Sequence, residues 1–337
     1  MAQVPTPIST IAAPSPEPAW QVSNEPGTAT PTGVLLPESS DVWNASHTYS
    51  LLHFELLDHF REKLIGIVNP ISPYFGQMLL YISRDAPRTP YLMDELLALA
   101  AAHKSTLPGE RRDLYRTEST RLQTRALAGF RQEQAMAVER PLATFTFSAM
   151  LGQHVLFDAF SDATDLPAAL DKFAQCVRLH HGIRTIAGQH WEKIRETLPS
   201  NQLYRATNSI VTTGTECDEI CGHLRRSNIC KETLETYEAT VKILQYMFDT
   251  IRSWPDRRIV VAQEWSVRVS WDYILLVQQR RPEAMVILAY YAVLLHYGRD
   301  YWAIGDSGKF LIQSISSHLG DYWSDWLRWP NQVVNDT

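Results

Sequence analysis

The sequence predicts an all-α protein, a single large bundle of about ten or more helices behind a disordered proline-rich arm. Three observations carry that prediction. Beyond Ser46, apolar residues recur at three- and four-residue spacings, the period of a helix with one buried face. Alternation of period two, which strands require, is scarce. Proline and glycine fall between the periodic segments and punctuate them. With 337 residues, 45% hydrophobic and 20% charged, the chain can bury a sizeable core. No repeat of fixed period runs along it, which argues against a helical solenoid.

The elements follow in order. Residues 1–45 hold eight of the 19 prolines amid Ser, Thr, Ala and Gly, and bury too little apolar surface to offset ordering. The helical domain spans 46–330, and 331–337 reads as a tail. Segment 47–68 places Leu52, Leu56, Phe60 and Leu64 four apart. Thr89-Pro90 reads as an N-cap with proline at the first helical position, opening a helix through Ala100 that stops before Pro108-Gly109. Segment 110–136 carries Leu114, Leu122, Leu127 and Phe130 on one side. Pro141 opens a helix through Phe160, and Asp165 can cap one that ends near Gly182. Residues 232–252, 259–279, 283–297 and 307–319 read as further helices, separated by Pro255, Pro282 and Gly305 to Gly308. Charge thins out between Ala284 and Leu295, so that helix is expected to be buried on most sides. This stretch is too short and too tyrosine-rich to span a membrane.

Composition excludes several functions. A net charge of −6 gives the chain no bulk attraction to phosphate polyanions or acidic lipid. Four cysteines in this length fit a reducing intracellular compartment better than a disulfide framework. The first sixty residues contain no Lys or Arg, so no charged leader is visible.

Candidate chemistry is sparse. Cys217, Cys221, His223 and Cys230 carry zinc-ligand atom types, but their spacing matches no standard module. His180, His181 and His190 surround the expected helix end without a metal-binding pattern. Gly305-Asp306-Ser307-Gly308 looks like the surroundings of a serine nucleophile, yet an all-α chain offers no scaffold for that chemistry, and a tight turn explains both glycines. Asn208, Thr212 and Glu216 have the i, i+4, i+8 spacing of a magnesium site, similar to the second metal motif of terpene cyclases. The aspartate-rich partner motif is missing. The arginine pairs at 111–112, 225–226, 257–258 and 280–281 are isolated and read as solvated helix ends. Ten aromatic residues gather between Tyr290 and Trp329, either as core or as the lining of an apolar pocket.

A set of ordered segments resembles a known family. They are Leu51-Leu52-His53-Phe54, Tyr91-Leu92-Met93-Asp94 through His103, and Arg281-Pro282-Glu283-Ala284 with the apolar run to Leu295. Tyr301-Trp302-Ala303-Ile304 and Trp326-Leu327-Arg328-Trp329-Pro330 complete the set. Together they resemble the regulatory domain of fungal binuclear zinc-cluster transcription factors, of the sterol uptake control type, over about residues 46 to 330.

The resemblance implies a nuclear helical domain, shuttling from the cytoplasm, that binds a sterol-like or other secondary metabolite and a protein partner. It implies no enzyme activity and no cofactor, and leaves a homodimer open. The region it points to is helix 283–297 and the turn through Phe310. Within that region Met285, Leu288, Tyr291, Leu295, Trp302 and Phe310 are the ligand-lining candidates. Full members carry a six-cysteine cluster and a basic linker, whereas residues 1–60 here hold neither cysteine nor basic side chain. The expectation is therefore that this chain does not itself grip DNA. The alternatives are a magnesium-dependent terpene cyclase-like enzyme and a ligand-free interaction scaffold.

Overall fold

Why the first helical segment holds is plain from its stripe. In the computed structural model, which describes residues 48–133, 141–161, 165–188 and 213–336, Leu56, Phe60, Leu64 and Val68 are all fully buried. They follow one another at four-residue spacing through α1 (Leu51–His59), a π-helical turn (Phe60–Leu64) and α2 (Ile65–Ile71). The backbone N–H of Ser50 donates to His53 Nδ1 at 2.7 Å and starts the helix. Pro70 and the extended Ser72 end it, and Pro73 opens α3 (Pro73–Asp85), which the apolar pattern does not foretell. α3 folds back on α2 so closely that a Cβ on Gly76 would lie 2.6 Å from Asn69 Oδ1 and 2.9 Å from its Cα.

The next helix, α4 (Pro90–Thr106), starts as expected after Thr89. It is buried all round rather than on one face, because α5 (Arg112–Gln132), α1 and α6 (Pro141–Phe160) pack on it from different sides. The buried face of α5 is Tyr115, Ser119, Leu122, Ala126 and Phe130. Leu114, expected on that face, is exposed, since it lies off the stripe those residues define. Asp165 caps α7 (Leu166–Gly188) as expected, its Oδ1 accepting the Ala168 N–H at 2.8 Å. This helix does not stop near Gly182. A single glycine costs a helix only about 1 kcal/mol, and the turn before it is anchored across the interface by His180 and His181.

The carboxyl-terminal half is built around one helix. After α8 (Asp218–Arg226) and α9 (Lys231–Ser253), a turn at Pro255–Arg257 leads to α10 (Arg258–Arg268), α11 (Trp271–Gln278) and α12 (Pro282–Tyr297). The helix expected over 259–279 is thus two helices. Val269 turns extended, and Ser270 Oγ accepts the Tyr273 N–H at 3.2 Å as a new N-cap. Every residue of α12 from Ala284 to Leu295 is fully buried, as its low charge foretells.

α13 (Ser307–Leu319) matches the expected bounds and lies against α12. A Cβ at Gly308 would meet Ala292 O at 2.4 Å and His296 N at 2.5 Å, so only glycine permits this approach. The expected tail from 331 is instead the body of α14 (Arg328–Asn335). It buries Pro330 and Val334 and ties Asn331 Nδ2 to Ser316 Oγ at 2.9 Å.

The described residues contain helices and turns and no strand. The described residues from Tyr49 onward form one compact unit. The arm expected over 1–45 lies outside the described residues, as do His190, Asn208 and Thr212. No helix among the described residues is long and apolar enough to cross a membrane.

Candidate ligand cleft

The ends of four helices and one turn meet around a cleft of about 330 Å³. Ser105 and Thr106 close α4, Arg112 and Arg116 open α5, and Phe157, Phe160 and Ser161 end α6. Trp302 to Asp306 form the turn between α12 and α13, and Ser307 and Phe310 begin α13. Ser307 Oγ donates back to Ile304 O, and Gly305 sits at a φ of +48°, which together fold this turn tightly. The polar side chains at the end of α4 are also turned inward: Ser105 Oγ donates to Ala102 O and Thr106 Oγ1 to His103 O.

Trp302 forms the floor. Its ring lies 5.2 Å from Phe157 and 5.0 Å from His103, both at tilted angles. His103 in turn faces His59, with Nε2 of His59 2.8 Å from Nδ1 of His103. Burial holds both imidazoles neutral, His103 with help from His59 and Lys104, and His59 with help from Lys104; each pKa falls to about 4. The wall behind Trp302 is therefore uncharged at neutral pH.

The basic residues at this end divide into two sets. Glu55 engages Lys104 at 2.6 Å, Arg111 at 3.0 Å and the hydroxyl of Tyr115. Burial works against the Glu55 carboxylate, but these donors outweigh it and hold its pKa at about 2. Arg112 and Arg116, one helical turn apart, border the cleft. Arg116 reaches Ser161 Oγ at 3.5 Å across its mouth.

The ligand-lining candidates split accordingly. Trp302 and Phe310 line the cleft, half-buried. Met285, Leu288, Tyr291 and Leu295 are fully buried and do not border it. The reason is the near-complete coverage of α12: its side chains meet other helices on every side. Tyr291 stacks on Trp265 at 4.1 Å and donates to Ala262 O at 3.0 Å, a core role. Phe157, Phe160, Arg112 and Arg116 were missed, since no local pattern shows that the far ends of α5 and α6 converge on the 302–310 turn.

The remaining chemical candidates that lie among the described residues occupy structural positions. Cys217 is buried and Cys230 exposed, while His223 stacks on Trp326 at 4.8 Å. Among the described residues no three His, Cys, Asp or Glu side chains are grouped as metal ligands. Glu216 lies in a turn before α8, so it does not continue a helical face from Thr212. Its carboxylate pairs with Arg252 and accepts from Gln245 Nε2 at 2.9 Å. His180 and His181 do not cap a helix end. They join α7 to α10 through Ser266 Oγ at 3.0 Å and Val269 O at 2.7 Å.

One constellation has triad-like spacing. Ser119 Oγ is 2.9 Å from His154 Nε2, and His154 Nδ1 is 3.1 Å from Glu95 Oε1. However, the Ser119 hydroxyl donates to Ala98 O at 2.9 Å, so its proton points at the backbone and not at the imidazole. His154 then donates to Ser119, and the chain of bonds ties α4, α5 and α6 together. Burial opposes the imidazolium of His154, but the Glu95 carboxylate outweighs it and raises the His154 pKa.

No protein-family model matches this chain, and no curated protein matches it in sequence.

Proposed function

We propose that this chain is a transcription-regulator-like protein whose helical domain binds a hydrophobic metabolite and a protein partner. The reading has it nuclear, shuttling from the cytoplasm. The resemblance of the quoted segments to fungal zinc-cluster regulatory domains supports it.

The observation that carries it is the aromatic cleft under the 302–310 turn. Its volume of about 330 Å³ lies within the range of about 300–1,000 Å³ typical of small-molecule sites, which are lined mainly by apolar and aromatic side chains. Burying apolar ligand surface there supplies about 25 cal/mol per Å² before association costs. A ligand that favours one packing of this turn on α4 and α6 shifts the domain toward that packing. The partner surface changes with it.

Native mass spectrometry of the chain after incubation with a lipid extract tests the reading. The expected result is a mass adduct on the native chain that is absent from Trp302→Ala, with helical circular dichroism retained in both. A chain that takes no adduct, or a variant that keeps it, overturns the reading.

A further inference from the structure

The cleft does not end at Arg116. A second cleft, of about 440 Å³, shares Ser105, Arg116 and Phe157 with the first and runs on between α5, α6 and α7. The two differ in chemistry. The first is floored by Trp302, Phe157, Phe160 and Phe310. The second is bordered by Thr120, Gln123, Asp158, Lys172 and Gln175, with a few aliphatic side chains between them. The aromatic rings thus gather in the first cleft beside its polar rim, and only Phe157 among them continues into the second, with Arg116 at the join.

Resting on the ligand site proposed above, we infer that its ligand is an amphipathic monocarboxylate, with its apolar body on Trp302 and Phe310 and its carboxylate on Arg116 and Arg112. Four features fit this ligand. Arg112 and Arg116 sit one turn apart on α5, so both guanidinium groups can serve one head group. Guanidinium matches the two oxygens of a carboxylate in a bidentate pair. Both arginines lie in the first turns of α5, and α13 also starts at the cleft, so two helix amino termini add positive potential. Finally, Asp306 borders the first cleft and Asp158 the second. These carboxylates limit the net positive charge, which favours a monoanion over the dianion of a phosphate monoester. A neutral sterol would leave the polar end of this groove without a counterpart.

Isothermal titration calorimetry at pH 8 with dodecanoate, 1-dodecanol and dodecyl phosphate, each below its micelle concentration, tests the assignment. Dodecanoate is expected to bind about tenfold or more tightly than the alcohol, and more tightly than the phosphate. In Arg116→Met, and separately in Arg112→Met, this preference for the acid is expected to collapse. Lys63→Met, an exposed change on the π-helical turn, is expected to keep it.

Equal affinity for acid and alcohol, tighter binding of the phosphate, or an acid preference intact in both arginine variants would overturn the carboxylate assignment. If binding of the alcohol is still lost in Trp302→Ala, the cleft survives as an apolar site. Absence of binding by all three amphiphiles, or binding that Trp302→Ala leaves unchanged, overturns the inference and removes the cleft with it.

Discussion

Helices α4 and α12 are both buried along nearly their whole length, yet by opposite means. Between Ala284 and Leu295, α12 carries no Asp, Glu, Lys, Arg or His and is covered mainly by apolar packing. In contrast, α4 takes Asp94, Glu95 and His103 into the interior. Each has a named partner. Arg125 Nε donates to Asp94 at 2.6 Å and Tyr49 to its other oxygen at 3.1 Å; His154 faces Glu95; His59 faces His103. Buried polar groups hold a structure to one arrangement when satisfied and cost heavily when one partner is lost. The two helices are thus expected to differ in what breaks them: volume in α12, pairing in α4.

The largest effects are expected in α12 and α4, and they are of similar size. Tyr291→Ala removes a ring packed on Trp265 and, at 5.6 Å, on Phe173, and should destabilise the domain by about 3–5 kcal/mol in denaturant unfolding. Tyr291→Phe keeps the ring and loses only the bond to Ala262 O, so about 1 kcal/mol is expected. If the two variants cost the same, α12 is held by its hydrogen bond and the contrast with α4 fails.

In α4 the corresponding test is a cycle. Glu95→Leu or His154→Leu alone strands a buried partner and should cost about 3–5 kcal/mol. The double variant removes both groups and should be less destabilised than either single one. Additive losses would mean that the pair is not coupled and that packing alone explains both sites.

The same contrast explains how much the sequence disclosed. Apolar periodicity located most helices, and the absence of charge foretold the burial of α12. It could not foretell that α4 is buried all round, because Asp94, Glu95, His103 and Lys104 bring charge to every side of the helix, and burial of a charge costs free energy unless it is paired. Only tertiary partners far along the chain, Arg125 and His154 among them, make that burial tolerable. Helix α3 was hidden by Pro70 and Pro73, which read as punctuation. Of the site, Trp302 and Phe310 were legible as part of an aromatic cluster. Arg112 and Arg116 were visible only as charges at a helix start, since their place beside Phe157 depends on how α5 and α6 converge.

Acid should separate the halves by a smaller amount. His59 beside α4 and His103 within it have pKa values near 4 because burial disfavours their charged forms. In the unfolded chain they titrate near about 6.5. Between those values the unfolded state binds more protons, so stability falls as pH drops from about 6.5 to about 4. The Glu55 cluster titrates lower: its contribution is lost only as pH falls from about 4.5 toward 2. The expected observation is a melting temperature that declines from pH 7 to pH 4.5, with a shallower decline in His103→Gln. An equal decline in the variant would place the sensitivity elsewhere, for instance at His180, whose pKa burial also lowers to about 4.

The smallest expected effect lies at the break between α10 and α11, where local and tertiary causes compete. Ser270 caps α11 through Tyr273 N–H, which is a local cause. Val269 is fully buried and its carbonyl lies 2.7 Å from His181 Nε2, which is a tertiary one. If the cap sets the break, Ser270→Ala should cost about 1 kcal/mol and Ser270→Asp should restore most of it, since aspartate caps as well as serine. If both variants unfold at the native denaturant midpoint, the His181–Val269 contact holds the break unaided. Helix α11 would then owe its start to packing, as α4 owes its burial to distant partners, and not to its own sequence.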